Sequence, residues 1–337
     1  MPPARAVGVP WYVRLMLGAA GWLAALFLLG FIAVGLAWVM KSELASVLVG
    51  LIMMAMAWLM LRRLGRNDFA TQFALALSFA GQVLFAVGIF GWLGMERDAT
   101  AAWTVMSLAQ AILALVMPNV IHRLWSAFAT AVAFGMLLHS LGLSFLSPSI
   151  ILVISTWAWL NEFAWPEFGP AWRPMAYGLL LALVAMDMAA GAFQPLTGIG
   201  IGFESSGPIA PWVEKLLPGF ILLWLVWTLL RRWQVDIPGR MANVVLLDTL
   251  ILILASLKAP GISVGICIIL LGYAHGNRVL TGLGVAALLL YLSAYYYSLD
   301  DTLLVKSQAL ALSGAVLLTL RWLSLRWILR DTGPADE

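Results

Sequence analysis

Three ionisable side chains stand inside runs of apolar residues. Asp248 lies within Val245-Leu246-Leu247-Asp248-Thr249-Leu250, Asp187 within Ala185-Met186-Asp187-Met188, and His139 near the end of a run that begins at Leu124. At the centre of a bilayer a charged side chain costs roughly 2.5–3.5 kcal/mol even on lenient scales, so it needs a partner, a water or neutralisation. If Asp187, Asp248 and His139 converge, two carboxyls and an imidazole in one desolvated site form a proton or cation relay. If they do not, each is hydrogen-bonded to a neighbouring helix and fixes packing. Both readings are open. Gln82 and Gln110 fall near the middle of their own apolar runs.

Two further groups lie at the ends of such runs. Arg123, Asn277 and Arg278, with His275 beside them, sit in tight polar turns and could hold an anionic headgroup or a substrate carboxylate; anchoring the turns at the membrane face would serve equally. Tyr295, Tyr296, Tyr297, Asp300, Asp301 and Lys306 combine aromatic and charged groups. Lys306 can snorkel toward either aspartate, and the cluster would dock a partner or form an interfacial belt. Gly261-x-x-x-Gly265 has the small-residue spacing that lets helices touch; a short, glycine-interrupted helix is also where transporters break a span around a site.

No phosphate loop, zinc-binding His-Glu-x-x-His or Gly-x-Ser-x-Gly elbow occurs. Gly198-Ile199-Gly200-Ile201-Gly202 lacks the spacing of a dinucleotide fingerprint. The single cysteine, Cys267, excludes an internal disulfide and a cysteine metal cluster, and it reads as a small buried apolar residue. No metal, cofactor or enzymatic activity is expected.

Positioning these residues requires helices in a membrane. The 337 residues are 63% hydrophobic and 10% charged, against about 25% charged in a soluble domain. The apolar residues form runs of about 20, the length that crosses a hydrocarbon core about 30 Å thick, too long for the strands of an outer-membrane barrel. The pattern predicts an all-α polytopic bundle of about 12 spans: Leu15–Met40, Leu44–Leu61, Phe69–Leu93, Thr100–Met117, Leu124–Phe145, Ser149–Phe163, Met175–Phe193, Leu216–Leu230, Met241–Leu257, Ile262–Ala274, Val279–Tyr297 and Leu303–Leu329. The first run is too long for a secretory signal and is expected to stay as a span.

With the N-terminus inside, five of the 19 Lys and Arg fall on the outer side (Lys41, Arg97, Lys215, Lys258 and Lys306) and all others on the inner side. Positive residues are retained in the cytoplasm, so the bias predicts both termini inside. The net charge of +3 therefore reads as a topology signal rather than a nucleic-acid surface. The longest loop, Gln194–Lys215, is a connector or a lid. Trp11, Trp38, Trp92, Trp212 and Trp233 lie near span ends, where indole rings form a belt.

A trace of internal repetition divides the single membrane domain, 1–337, into six-span halves, 1–168 and 169–337, of parallel topology. Trp58-Leu59-Met60-Leu61-Arg62-Arg63 resembles Trp227-Thr228-Leu229-Leu230-Arg231-Arg232. The turn Asn119-Val120-Ile121-His122-Arg123-Leu124 resembles His275-Gly276-Asn277-Arg278-Val279-Leu280.

The last quarter carries a more specific pattern: Gly276-Asn277-Arg278-Val279-Leu280, Gly282-Leu283-Gly284, Tyr295-Tyr296-Tyr297-Ser298-Leu299, Thr302-Leu303-Leu304-Val305-Lys306-Ser307 and Leu320-Arg321-Trp322. With the opening Pro10-Trp11-Tyr12-Val13-Arg14 and then Gly18 and Gly21-Trp22, it resembles the bacterial membrane family of domain of unknown function 4401. The resemblance implies a polytopic protein of the bacterial inner membrane. It also implies company: another membrane domain of unknown function and a small membrane-anchored protein named for a Gly-Asp-Tyr motif. It carries over no catalytic residues. Sequence alone thus points to a non-enzymatic component of a small membrane complex, its partners the bilayer and another membrane protein from the same gene neighbourhood. A secondary transporter or proton-coupled permease using the intramembrane aspartates, its small-molecule substrate unknown, is the alternative.

Overall fold

A computed structural model of the chain describes residues 39–64, 68–94, 99–162, 169–190, 210–236, 239–257 and 261–298, together with isolated helical positions within 16–35 and 304–322. The described residues form ten α-helices and no strand: α1 (Glu43–Leu64), α2 (Asp68–Leu93), α3 (Ala99–Val116), α4 (Val120–Ser140), α5 (Ser147–Leu160), α6 (Gly169–Ala190), α7 (Ala210–Arg232), α8 (Arg240–Ser256), α9 (Ile262–Ala274) and α10 (Arg278–Ser298). They fall on the second to eleventh predicted spans. The first and twelfth lie largely outside the described residues. Six helices, α1 to α4, α7 and α10, are long and apolar enough to cross a membrane. At about 1.5 Å per residue, the 14 residues of α5 and 13 of α9 reach only about 20 Å.

Where helix starts differ from the sequence reading, local chemistry gives the reason. Helix α4 begins at Val120 rather than Leu124, because Asn119 Oδ1 accepts the N–H groups of Ile121 (2.9 Å) and His122 (3.2 Å) as an N-cap. Helices α6 and α7 also start about six residues early, at Gly169 and Ala210. Pro170 and Pro211 lie in their first turns, where a missing N–H has no helical partner to lose. Lys215 and Trp212 are therefore on α7 instead of in the long loop, whose remainder, 194–209, is outside the described residues.

The chain divides into two compact units, Met1–Ala133 and Phe134–Glu337. In the first, α1 and α2 pack backbone to backbone through glycine. A Cβ on Gly50 would stand 2.6 Å from the Gly81 carbonyl oxygen, and one on Gly81 would stand 2.8 Å from that of Gly50. Further along, a Cβ on Gly88 would reach the Glu43 oxygen at 2.7 Å. The α3 helix closes on this pair through Phe90 and Trp103, whose rings meet edge to face at 4.8 Å. Met54, Phe85, Ile89, Ala102, Met106 and Ala133 form one apolar cluster, and Ala57, Leu61, Ala74 and Met117 another.

In the second unit α5, α7 and α9 pack on one another, with α6 against α5, α8 against α7 and α10 against α6 and α9. The α9–α10 contact is again made by glycine. Cβ atoms on Gly272 and Gly284 would approach backbone nitrogens of Thr281 and Ile269 at 2.4 and 2.6 Å. Gly265 of the predicted small-residue pair lies against Leu288, so that spacing serves close packing. Its partner Gly261 has φ +94°, where a side chain is strained, and a Cβ there would meet the Tyr291 ring at 2.1 Å. Cys267 is fully buried, as expected of a small apolar residue.

Two glycines of α10 should therefore respond oppositely to alanine. Gly282 has open space where its Cβ would go, so Gly282→Ala should stabilise by about 0.5–1 kcal/mol through helix propensity. Gly284→Ala must push α9 and α10 apart, at a cost of about 1–3 kcal/mol. Thermal melts of the purified variants in lipid or detergent should show Tm rising for the first and falling for the second.

Candidate functional site

The first unit holds a buried polar group that the sequence reading placed partly at a helix tip. Because Asn119 starts α4 early, His122 lies within its first turn and is fully buried. Its Nε2 is 2.7 Å from Ser78 Oγ and 3.2 Å from Gln82 Nε2; its Nδ1 is 3.1 Å from Ser126 Oγ. Gln110 Nε2 donates to Gln82 Oε1 at 3.1 Å, which joins α3 to the group. Phe79 stacks on the imidazole at 5.6 Å. The spacing Ser78/Gln82 puts both side chains on one face of α2, and His122/Ser126 does the same on α4. The Gln82 amide nitrogen can only donate, so the ring takes the tautomer in which Nε2 accepts and Nδ1–H donates to Ser126 Oγ. The five side chains include no carboxylate and no thiol. Among the described residues no group of three or more His, Cys, Asp or Glu is placed to hold a metal. Gln82 and Gln110 were visible in the sequence as polar residues in apolar runs; their meeting with His122 was not.

Arg123, next in the chain, turns the other way. Its Nε donates to the Met117 carbonyl at 2.7 Å, closing the end of α3. Arg278 is exposed at the start of α10, and Asn277 does two things. Its Oδ1 caps α10 by accepting from Val279 (3.1 Å) and Leu280 (3.2 Å), and its Nδ2 donates to Tyr177 Oη at 2.7 Å. Tyr177 meets Trp159 edge to face at 5.1 Å, and Trp159 meets His275 at 5.9 Å. His275 Nδ1 donates to the Leu271 carbonyl at 2.8 Å. Near the same end of α5, Glu162 pairs with Arg173, and Arg232 Nη2 donates to the Leu160 carbonyl at 2.5 Å.

Of the three ionisable residues singled out within apolar runs, Asp187 on α6 is half-buried and accepts a 2.7 Å hydrogen bond from the hydroxyl of Tyr291 on α10. Asp248 is half-buried on α8. His139 is exposed at the end of α4, its carbonyl accepting from Gly142 N–H in the turn that follows. Tyr291 is one helical turn before the tyrosine triplet that drew attention in the sequence. Tyr295 and Tyr296 are half-buried. The Tyr297 side chain, Asp300, Asp301 and Lys306 lie outside the described residues.

One arrangement had no counterpart in the sequence reading. Ser149 Oγ, Ser155 Oγ, Thr156 Oγ1 and Trp159 Nε1, all on α5, are buried and have no hydrogen-bond partner; elsewhere among the described residues only Trp58 Nε1 and Gln110 Oε1 share that state. Other helical threonines return their hydroxyl to the carbonyl four residues back, as Thr104, Thr130 and Thr249 do at 2.7 Å. Thr156 does not. An unsatisfied buried polar group costs about 1–3 kcal/mol, so four would offset much of a typical net stability of about 5–15 kcal/mol.

The family profile described as Domain of unknown function (DUF4401) matches residues 10–327. The chain belongs to the DUF4401 family. No curated protein and no solved structure matches it. The match extends over both units of this DUF4401 chain, and the polar groups above all fall within it.

The Asp187–Tyr291 pair yields a direct expectation. Tyr291→Phe leaves the carboxyl without this donor in a half-buried place and should lower stability by about 1–3 kcal/mol. Asp187→Asn keeps an acceptor oxygen for the tyrosine and should melt closer to the parent chain. Thermal unfolding of both variants checks the order.

Proposed function

We propose that this DUF4401 chain is a non-enzymatic, multi-pass component of the bacterial inner membrane that works as the core of a small membrane complex. In this reading twelve helices span the bilayer in two six-span halves, 1–168 and 169–337, with both termini in the cytoplasm. The observation that carries it is the use made of polar side chains inside apolar helices. Asp187 is engaged by Tyr291 and Gln82 by Gln110 and His122, so these groups tie helix to helix.

Two local likenesses favour the paired halves. Asn119 and Asn277 cap their helices through the same two N–H positions. The guanidinium carbons of Arg62 and Arg231 stack over Trp58 and Trp227, at 4.4 and 4.9 Å from the ring centroids. The partners in this reading are the bilayer and a second membrane protein of the same gene neighbourhood, and the outer docking cluster is Tyr295–Tyr297 with Asp300, Asp301 and Lys306. The second reading is a secondary transporter or proton-coupled permease using the intramembrane aspartates, and the unpartnered polar row on α5 favours it as a buried polar surface of the kind transport requires.

Topology and assembly can be measured together. In a Cys267→Ala background, a cysteine at Gly65 should react with an impermeant maleimide only in inverted vesicles, and one at Ser205 only in intact cells. Native mass spectrometry of chain extracted in its own lipid should show a defined complex with another membrane protein. A periplasmic Gly65, or a lone chain that drives proton-coupled solute uptake in proteoliposomes, would overturn the proposal.

A further inference from the structure

The four unpartnered groups on α5 are not scattered. At 100° per residue, Ser149, Leu152, Ser155, Thr156 and Trp159 fall within about 120° of arc, so they form one face of the helix. That face is turned inward: each of the five residues is at most 4% exposed. From Ser149 to Trp159 the row runs about 15 Å along the axis. The neighbouring helices α6, α7 and α9 cover α5, yet none supplies a bond to these atoms.

The chemistry of the row limits what can fill it. Three hydroxyls each donate and accept, while the indole N–H only donates. None of the four groups is charged, so an ion buried against the row would keep its charge uncompensated by these side chains, which is costly. A small neutral molecule that both donates and accepts satisfies every atom of the row. Buried water does this routinely, given two to four polar partners per molecule. The contrast with Thr104, Thr130 and Thr249 points the same way, since those hydroxyls satisfy themselves on their own helix and Thr156 forgoes that bond.

We propose that the buried face of α5 binds a file of water molecules, held by the hydroxyls of Ser149, Ser155 and Thr156 and ended by the indole N–H of Trp159. The four groups are spread along about 15 Å of helix, so more than one water is needed to reach them all. This makes α5 the wet element of the second unit. The inference stands whether the chain acts as a complex component or as a transporter.

The test uses the full chain in lipid bilayers with labelled threonine and tryptophan. In water-edited solid-state NMR, magnetisation should reach Thr156 and Trp159 Nε1 several-fold faster than Thr130, with the two signals assigned by Thr156→Val and Trp159→Phe. Build-up at Thr156 as slow as at Thr130 would overturn the file. Melting provides a second reading. Removing a hydroxyl that holds water should lower Tm by about 1–3 °C in Thr156→Val, with Ser155→Ala as the alternative if that variant does not fold. A rise in Tm would mean a dry, unsatisfied hydroxyl had been relieved, which also overturns the proposal.

Discussion

In a chain this apolar, a buried polar atom has few places to go. Water is scarce inside helices made of leucine, alanine and valine, so each hydroxyl, amide and carboxyl must find a partner within the protein. Most of the described structure can be read as solutions to that one constraint. Thr104, Thr130 and Thr249 fold back onto their own helices. Asn119 and Asn277 satisfy first-turn N–H groups, and Arg123 and Arg232 satisfy carbonyls at helix ends. Glu162 takes Arg173, Asp187 takes Tyr291, and His122 gathers two serines and a glutamine.

The same constraint explains the weight carried by glycine. Hydrocarbon gives apolar side chains little reason to prefer protein over lipid, so helix association depends on close contact and on polar bonds. Gly50 against Gly81 brings α1 and α2 to backbone contact, and Gly272 and Gly284 do so for α9 and α10. The polar groups lie beside these contacts. Tyr291, which bonds Asp187, also fills the space that Gly261 leaves open, so a backbone conformation and a buried hydrogen bond are set by one residue. The α5 row is the main exception among the described residues: four of its polar atoms have no partner within the chain.

How much of this was legible in sequence depended on whether a feature was local. Ten described helices fall on ten predicted runs because apolar length is a property of consecutive residues. The roles of Asn119 and Asn277 are half visible in sequence: both turns are polar and alike, but a cap differs from a surface contact only in where its helix begins. The place of His122 is not legible in sequence, because four residues of helix start change a tip residue into an interior one. Gln82 and Gln110 were noticed for their types, yet nothing in their spacing says that α2 and α3 bring them together.

Composition and run length alone determined that this protein is helical and built from segments suited to a membrane, since hydropathy adds up along the chain without reference to any neighbour. The motif pattern also pointed to the DUF4401 family, which the match over residues 10–327 bears out. Only the tertiary structure decided which polar residues are satisfied. Ser155 and Thr156 look in sequence like any hydroxyls on a helix, and nothing near Asp187 in the chain names Tyr291 as its donor. Hydrogen bonds act over about 3 Å between particular atoms on different helices, and that distance is set by packing rather than by order in the chain.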